Sequence, residues 1–233
     1  AKAAKLPPGS GQRNPVYGAM VQSMDEAVGR LMDTVDEMGI AGNTIFVFFS
    51  DNGGVDFIEI EGVAVTSNAP LRGSKSTLYE GGTREPCVVV WPGVVKPASR
   101  SKQLISSIDF YPTLLEATGL KAKAGVKFDG ISIVPALKGG SLKRDTLFCH
   151  RPYGGHDRRP GTCVRRADWK LIRFYAENDD QTDRLELYDL EHDLGEANNL
   201  AAQMPSKARE LNALIDDFLR DTQAVVPKPN PGY

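Results

Sequence analysis

The sequence predicts an α/β chain followed by a small antiparallel β subdomain, and three observations carry that expectation. An apolar stripe at helical spacing runs through Met20, Met24, Ala27, Val28, Leu31, Val35 and Met38. Two short apolar runs, Thr44–Ser50 and Pro86–Gly93, read as buried strands bounded by turn residues. Beyond about residue 140 the pattern changes to short alternating segments separated by turn clusters.

Residues 1–13, rich in Lys, Ala, Pro and Gly, read as a mobile arm. Asn14-Pro15 is a helix start: Asn offers a side-chain acceptor to the first free N–H groups, and Pro lacks the one N–H that needs no partner there. Gly39 is positioned to end that helix. The first apolar run, "TIFVFFS", is apolar on both faces and is therefore expected inside a parallel sheet covered by helices on both sides. Deprived of sheet neighbours, it would expose an apolar surface or drive dimerisation. "SSIDFYPTLLEATG" reads as an Asp109-led helix closed by Gly119. Segments near 145–150, 162–166, 169–175 and 184–190 are expected to form a half-exposed antiparallel meander. A helix carrying Ala208, Leu211, Leu214, Ile215, Phe218 and Leu219 on one face would cover it. The organisation is thus an arm (1–13), an α/β core (14–140), a subdomain (141–223) and a Pro-rich tail (224–233).

Among the 233 residues, 41% are apolar and 25% charged, and the net charge is −2, so no basic field argues for nucleic acid or an anionic membrane. No apolar run approaches the roughly 20 residues that cross a bilayer. No signal peptide is legible in "AKAAKLPPGSGQRNP". Three cysteines have no metal-type spacing. A Cys149–Cys163 bridge and free thiols both remain open, and so does the compartment.

Two stretches could carry chemistry. Asp51 and Asn52 follow the first apolar run with a carboxylate and an amide oxygen, hard donors suited to Ca²⁺ or Mg²⁺, beside the permissive Gly53 and Gly54. Taken alone, "DNGG" is also an ordinary Asx–Gly turn. Downstream, "APLRGSKSTLYEGGTREP" sets Arg72, Lys75 and Arg84 among glycines and the hydroxyls of Ser74, Ser76 and Thr77, a composition able to hold a tetrahedral oxyanion. A solvated loop whose arginines pair with Glu80 and Glu85 is the competing reading. His150, His156 and His192 have no identifiable Ser or Cys partner and are assigned no role.

In this order the two stretches resemble the sulfatase family of the alkaline-phosphatase-like superfamily. "FFSDNGG" is similar to its second metal motif, and "LRGSKSTLYEGGTREPCVVVWPG" to its Leu-Arg-Gly, Lys, Glu-Gly-Gly, Arg-x-Pro pattern. "SSIDFYPTLLEATG", "FDGISIVPALKGG" and "LELYDLEHDLGEANNLA" match later landmarks, over roughly residues 14–223. The resemblance implies an alkaline-phosphatase-like mixed or parallel sheet flanked by helices. It implies that Asp51 and Asn52 bind a divalent cation, usually Ca²⁺ with Mg²⁺ as the alternative. It also implies that Lys75 contacts the sulfate as a catalytic and substrate-binding group, with Arg72 a weaker candidate. Ser74 and Ser76 stand where glycine is frequent, which requires negative φ at both.

The family's nucleophile is a formylglycine made in a Cys-x-Pro/Ala-x-Arg motif. Cys87, Cys149 and Cys163 stand instead in "CVVVW", "CHRPY" and "CVRRA". The chain is therefore expected to be the carboxyl-terminal half of a sulfatase, inactive alone, with formylglycine in an amino-terminal half. Its implied partners are that half or a homo-oligomer, and a sulfate ester or sulfated sugar. Rival functions are a phosphate or phosphonate ester hydrolase of the superfamily, and a scaffold that keeps the fold without the site. Family members are often periplasmic, secreted or lysosomal.

Overall fold

A computed structural model describes residues 12–60, 62–154 and 159–228. His156, residues 1–11 of the arm and residues 229–233 of the tail lie outside the described residues. The chain divides into two compact units, Ala1–Asp51 with Pro86–Asp145, and Asn52–Glu85 with Thr146–Tyr233. Residues 52–85, assigned from sequence to the α/β core, thus belong with the antiparallel sheet.

The first unit opens with α1 (Pro15–Glu37), where Asn14 Oδ1 accepts from the N–H groups of Val16 at 3.0 Å and Tyr17 at 3.1 Å. The helix ends as expected, with Gly39 at φ +69°. Its stripe stays uncovered: no α1 residue is buried, and Met20 and Leu31 are 64% and 63% exposed. Strand β1 (Phe46–Phe49) follows.

The expected parallel neighbours of β1 are not found among the described residues. It pairs antiparallel with β4 (Cys87–Val90) in a two-stranded sheet, from Phe46↔Val90 to Phe49↔Cys87. Apolarity on both faces reports the environment that suits a strand and carries no information about the direction of its neighbour. The apolar surface is displayed instead, at Val47, Phe48, Val88 and Val90. Towards α3 (Phe110–Thr118), Phe49 meets Phe110 edge to face at 5.0 Å, beside an apolar cavity of about 360 Å³.

Asp109 anchors the start of α3 from a fully buried position. Its carboxylate accepts from the N–H of Ser106 at 2.7 Å, the N–H of Ile131 at 3.0 Å and the Arg144 guanidinium at 2.8 Å. Burial alone would raise its pKa, but Arg144 and the two amides outweigh burial and hold it below the ordinary value. Gly119, at φ +69°, closes α3, and the short α4 (Val134–Leu137) completes the unit.

Within the second unit, β2 (Glu59–Ile60) and β3 (Val63–Ala64) form a small antiparallel pair, and α2 (Glu80–Thr83) is a single turn. The expected meander is present as a four-stranded antiparallel sheet of β5 (Thr146–Arg151), β6 (Gly161–Arg166), β7 (Trp169–Phe174) and β8 (Arg184–Asp189), in that order. Helix α5 (Pro205–Thr222) covers one face, burying Ala208, Leu211 and Ile215 against Val164, Leu171 and Leu187.

The sheet is not left half exposed. On its other face Cys163, Ile172, Phe174 and Tyr188 are buried with Leu78, and Tyr79 packs against them. The lysine-bearing loop is what seals this face. Lys170, Arg165 and Glu186 are each ion-paired.

Candidate functional site

The corner Asn52–Gly54 and the loop 68–82 are joined through their backbones. Lys75 N–H donates to Gly54 O at 3.1 Å and Gly53 N–H to Gly82 O at 3.4 Å, while Gly81 N–H closes the loop on Arg72 O at 2.7 Å. Asn68, which sequence reasoning missed, clamps the junction. Its Oδ1 accepts from Gly54 N–H at 2.9 Å, while Nδ2 donates to Gly54 O at 2.9 Å and Gly73 O at 3.1 Å. Backbones this close exclude side chains: a Cβ on Gly53 would stand 1.8 Å from Gly81 O. The backbone of Lys75 is thereby tied to the glycine corner that follows Asn52.

Asp51 and Lys75 are both exposed, and neither side chain makes a hydrogen bond or ion pair among the described residues. Asn52 Nδ2 donates to Gly53 O at 3.0 Å. An uncommitted carboxylate next to an amide oxygen suits a hard cation chemically. Ca²⁺ wants about six to eight oxygens, however. Among the described residues no three His, Cys, Asp or Glu side chains converge on a metal position. The donor set therefore fits as part of a shell.

The loop arginines divide. Arg84 Nε pairs with Glu80 Oε2 at 2.6 Å, as the competing loop reading expected. Arg72 instead donates from Nη1 to the Tyr188 hydroxyl at 3.0 Å and to Glu196 O at 2.8 Å, and its guanidinium lies 3.9 Å from the Tyr79 ring centroid. The serines divide too. Ser74 has no positive φ, but Ser76 sits at φ +72°, against the negative φ expected for it. Its carbonyl accepts from the Arg151 guanidinium, and the conformation suits glycine better than any residue with a Cβ.

Beneath the loop lies a buried charge network that the sequence did not announce. Lys170 Nζ stands 2.9 Å from Glu80 Oε1 and 3.0 Å from Glu196 Oε1, with all three side chains nearly inaccessible. Arg165 Nη1 reaches Glu80 Oε2 at 3.0 Å, and Glu80 N–H donates to Glu196 Oε2 at 2.7 Å. Burial pushes Glu80 up, but Lys170, Arg165 and Arg84 outweigh it and leave its pKa lowered. Glu196 is raised because burial dominates there. The network fastens the turn that follows Tyr79 to the sheet, and so sets the height of the whole lysine loop.

His150, His192 and two of the cysteines are engaged with partners of their own. His150 Nδ1 lies 2.7 Å from Thr162 Oγ1 and its Nε2 3.0 Å from Val225 O, while the exposed His192 meets Asp189 at 2.9 Å. Cys149 and Cys163 are direct cross-strand partners, both free thiols. A hydrogen bond from Cys163 lowers the Cys149 pKa to about 7 and correspondingly raises that of Cys163.

Comparison with known proteins agrees in both halves of the sequence. The profile of the family described as Sulfatase matches residues 3–120, and that of N-sulphoglucosamine sulphohydrolase, C-terminal, matches residues 74–224. A sulfatase of Formosa agariphila is 37% identical over 208 residues, covering 82% of this chain and 36% of the relative. The uncharacterized sulfatase YdeN of Escherichia coli is 30% identical over 247 residues, covering 92% and 42% respectively. The chain thus spans less than half the length of these relatives. A solved structure of a protein in complex with its substrate D-glucosamine-2-N,6-O-disulfate has 28% identity and a TM-score of 0.69, over 88% of this chain and 40% of that one.

Proposed function

The chain belongs to the sulfatase family of sulfuric ester hydrolases, and from that premise we propose that it supplies one side of a sulfate-ester site. Asp51 and Asn52 contribute oxygen ligands to a divalent cation, Ca²⁺ by preference, and Lys75 contacts the sulfate. The cation, when bound, withdraws charge from the sulfate oxygens. Lys75, a compact point charge with three donors, binds the sulfate and stabilises negative charge on the departing oxygen. The corner and the Glu80 network hold the backbone of Lys75 in place, while its exposed side chain stays free to reach the sulfate.

The substrate class is a sulfated sugar. The solved relative that carries a disulfated glucosamine supports this reading. The nucleophile, a formylglycine, comes from outside these 233 residues, since none of the cysteines has the required neighbours. The carboxyl-terminal family profile over residues 74–224 supports assigning this chain to that end of the enzyme.

The observation that carries the reading is the Lys75 N–H bond to Gly54 O at 3.1 Å, because it ties the lysine loop to the corner of oxygen donors. The test measures aryl sulfate hydrolysis and sulfate binding by the chain with added Ca²⁺. Expected are no turnover and a sulfate affinity that falls about tenfold or more in Lys75→Ala. Turnover by the chain alone, or sulfate binding indifferent to Lys75, overturns the reading.

A further inference from the structure

We propose that the cavity bounded by Arg72, Ser76, Arg159 and Arg184 is an oxyanion subsite, taking a second acidic group, sulfate or carboxylate, of a saccharide whose reacting sulfate lies at Lys75. This rests on the sulfate-ester reading above and adds a specificity element to it. The cavity measures about 250 Å³. That is below the roughly 300–1,000 Å³ of pockets that enclose whole drug-sized ligands, so it suits one substituent of a sugar ring.

Charge is the first argument. The lining holds three arginines and one carboxylate, Glu186. That carboxylate is spent. Its Oε1 is paired with Arg184, and its Oε2 accepts from the hydroxyls of Tyr79 at 2.8 Å and Tyr188 at 2.7 Å. Burial and the Glu186 carboxylate keep the Tyr79 hydroxyl protonated, with its pKa raised to about 12. Arg72 is left with neutral acceptors, the Tyr188 hydroxyl and the Glu196 carbonyl, and has no ion pair among the described residues. A guanidinium satisfied only by neutral oxygens still favours an anion at its remaining donors, and its planar fork matches sulfate or carboxylate.

Preorganisation is the second argument. Stacking on Tyr79 and the two hydrogen bonds fix Arg72, so little side-chain entropy remains to be lost on binding. Buried Leu78 and Phe174 form apolar walls that strengthen any charge interaction beside them. Ser76 lines the same cavity, and its hydroxyl makes no hydrogen bond among the described residues. It immediately follows Lys75, on the backbone held at φ +72°. At the rim, Arg159 is tied to Glu177 at 2.8 Å, but its side chain is 50% exposed, so this pair exchanges readily for a ligand oxyanion.

Isothermal titration of the chain with a monosulfated and a disulfated glucosamine, at about 0.15 M salt to screen diffuse attraction, tests the assignment. The disulfated sugar is expected to bind about tenfold or more tightly than the monosulfated one. Arg72→Gln should abolish that preference, and Arg159→Glu should reduce it. Lys75→Ala should weaken both sugars alike and keep the preference. No preference in the natural chain, or a preference unchanged in Arg72→Gln, overturns the subsite while leaving the Lys75 reading standing. Preference retained with no dependence on Lys75 overturns the Lys75 reading and keeps the subsite. If Arg72→Gln fails to fold, Arg159→Glu decides, and an unchanged preference there overturns the proposal. Binding of neither sugar by folded protein also overturns it.

Discussion

Lys75 and Gly54, 21 positions apart in sequence, are joined by one backbone hydrogen bond of 3.1 Å. That bond makes the position of the lysine depend on the path of the glycine corner. Gly53→Ala would place a methyl 1.8 Å from Gly81 O, so the corner or the loop must move. A loss of about 1–3 kcal/mol in urea denaturation is expected, together with weakened sulfate binding. Unchanged stability would show that the junction is softer than its geometry implies.

Ser76→Gly has the opposite sign. Release from the left-handed conformation is worth about 1–2 kcal/mol, and the added freedom of glycine in the unfolded chain takes back about 0.4–1 kcal/mol. A net gain of up to about 1.6 kcal/mol is expected in the same denaturation assay. Destabilisation would mean that the Ser76 hydroxyl contributes to the folded state.

Cation binding tests the corner. Ca²⁺ titrated into the chain should bind weakly, with a Kd of about 10⁻⁴–10⁻³ M or above, as suits a shell that is only partly supplied. Asp51→Ala should abolish the heat of binding, and chelator should leave the thermal midpoint of the chain nearly unchanged.

Acid stability follows from the buried carboxylates. Glu80 and Asp109 have lowered pKa values in the folded chain, so the stability they confer is present above their ordinary values and lost as pH falls through the lowered ones. Glu196 is raised, which favours the folded state while it is protonated, and that contribution fades as pH rises through its folded pKa. Unfolding midpoints should therefore drop as pH falls below about 4.5. Glu80→Gln, which leaves Lys170 and Arg165 short of a carboxylate, should cost about 3–5 kcal/mol near neutral pH and flatten the acid slope.

Cys149 should alkylate with a midpoint below that of an ordinary thiol, because the Cys163 hydrogen bond lowers its pKa. Cys163→Ala removes the donor and should move that midpoint upward, as read by mass spectrometry of iodoacetamide adducts. An unmoved midpoint would rule out the thiol pair as the cause.

Local chemistry was legible and long-range pairing was not. Asn14, Pro15 and Gly39 announced α1 because capping acts over a few residues. The alternating strands and the α5 stripe announced the sheet and its cover in the same way. The antiparallel direction of β4 beside β1 could not be read, since an apolar run does not encode its partner's direction. The pairings of Lys170 with Glu80 and of Glu186 with Tyr79 could not be read, because each joins residues 90 or more positions apart. Asn68 carried no local signal at all, as its role is set entirely by which glycines converge on it. For the site, the residue types and their order were readable, whereas the bond from Lys75 to Gly54 and the spent carboxylate of Glu186 needed three dimensions.

The ion pair between Glu80 and Lys170 spans 90 positions. It means that the carboxyl-terminal sheet cannot be treated as a portable cassette. A polypeptide starting at residue 141 would lack Leu78, Tyr79 and Glu80, and would present a bare Lys170 and a naked apolar face. During synthesis Leu78, Tyr79 and Glu80 must likewise wait for a sheet that emerges long after them, and closing so long a loop is slow. Any dissection or chimera of this protein should carry residues 52–85 along with the carboxyl-terminal segment.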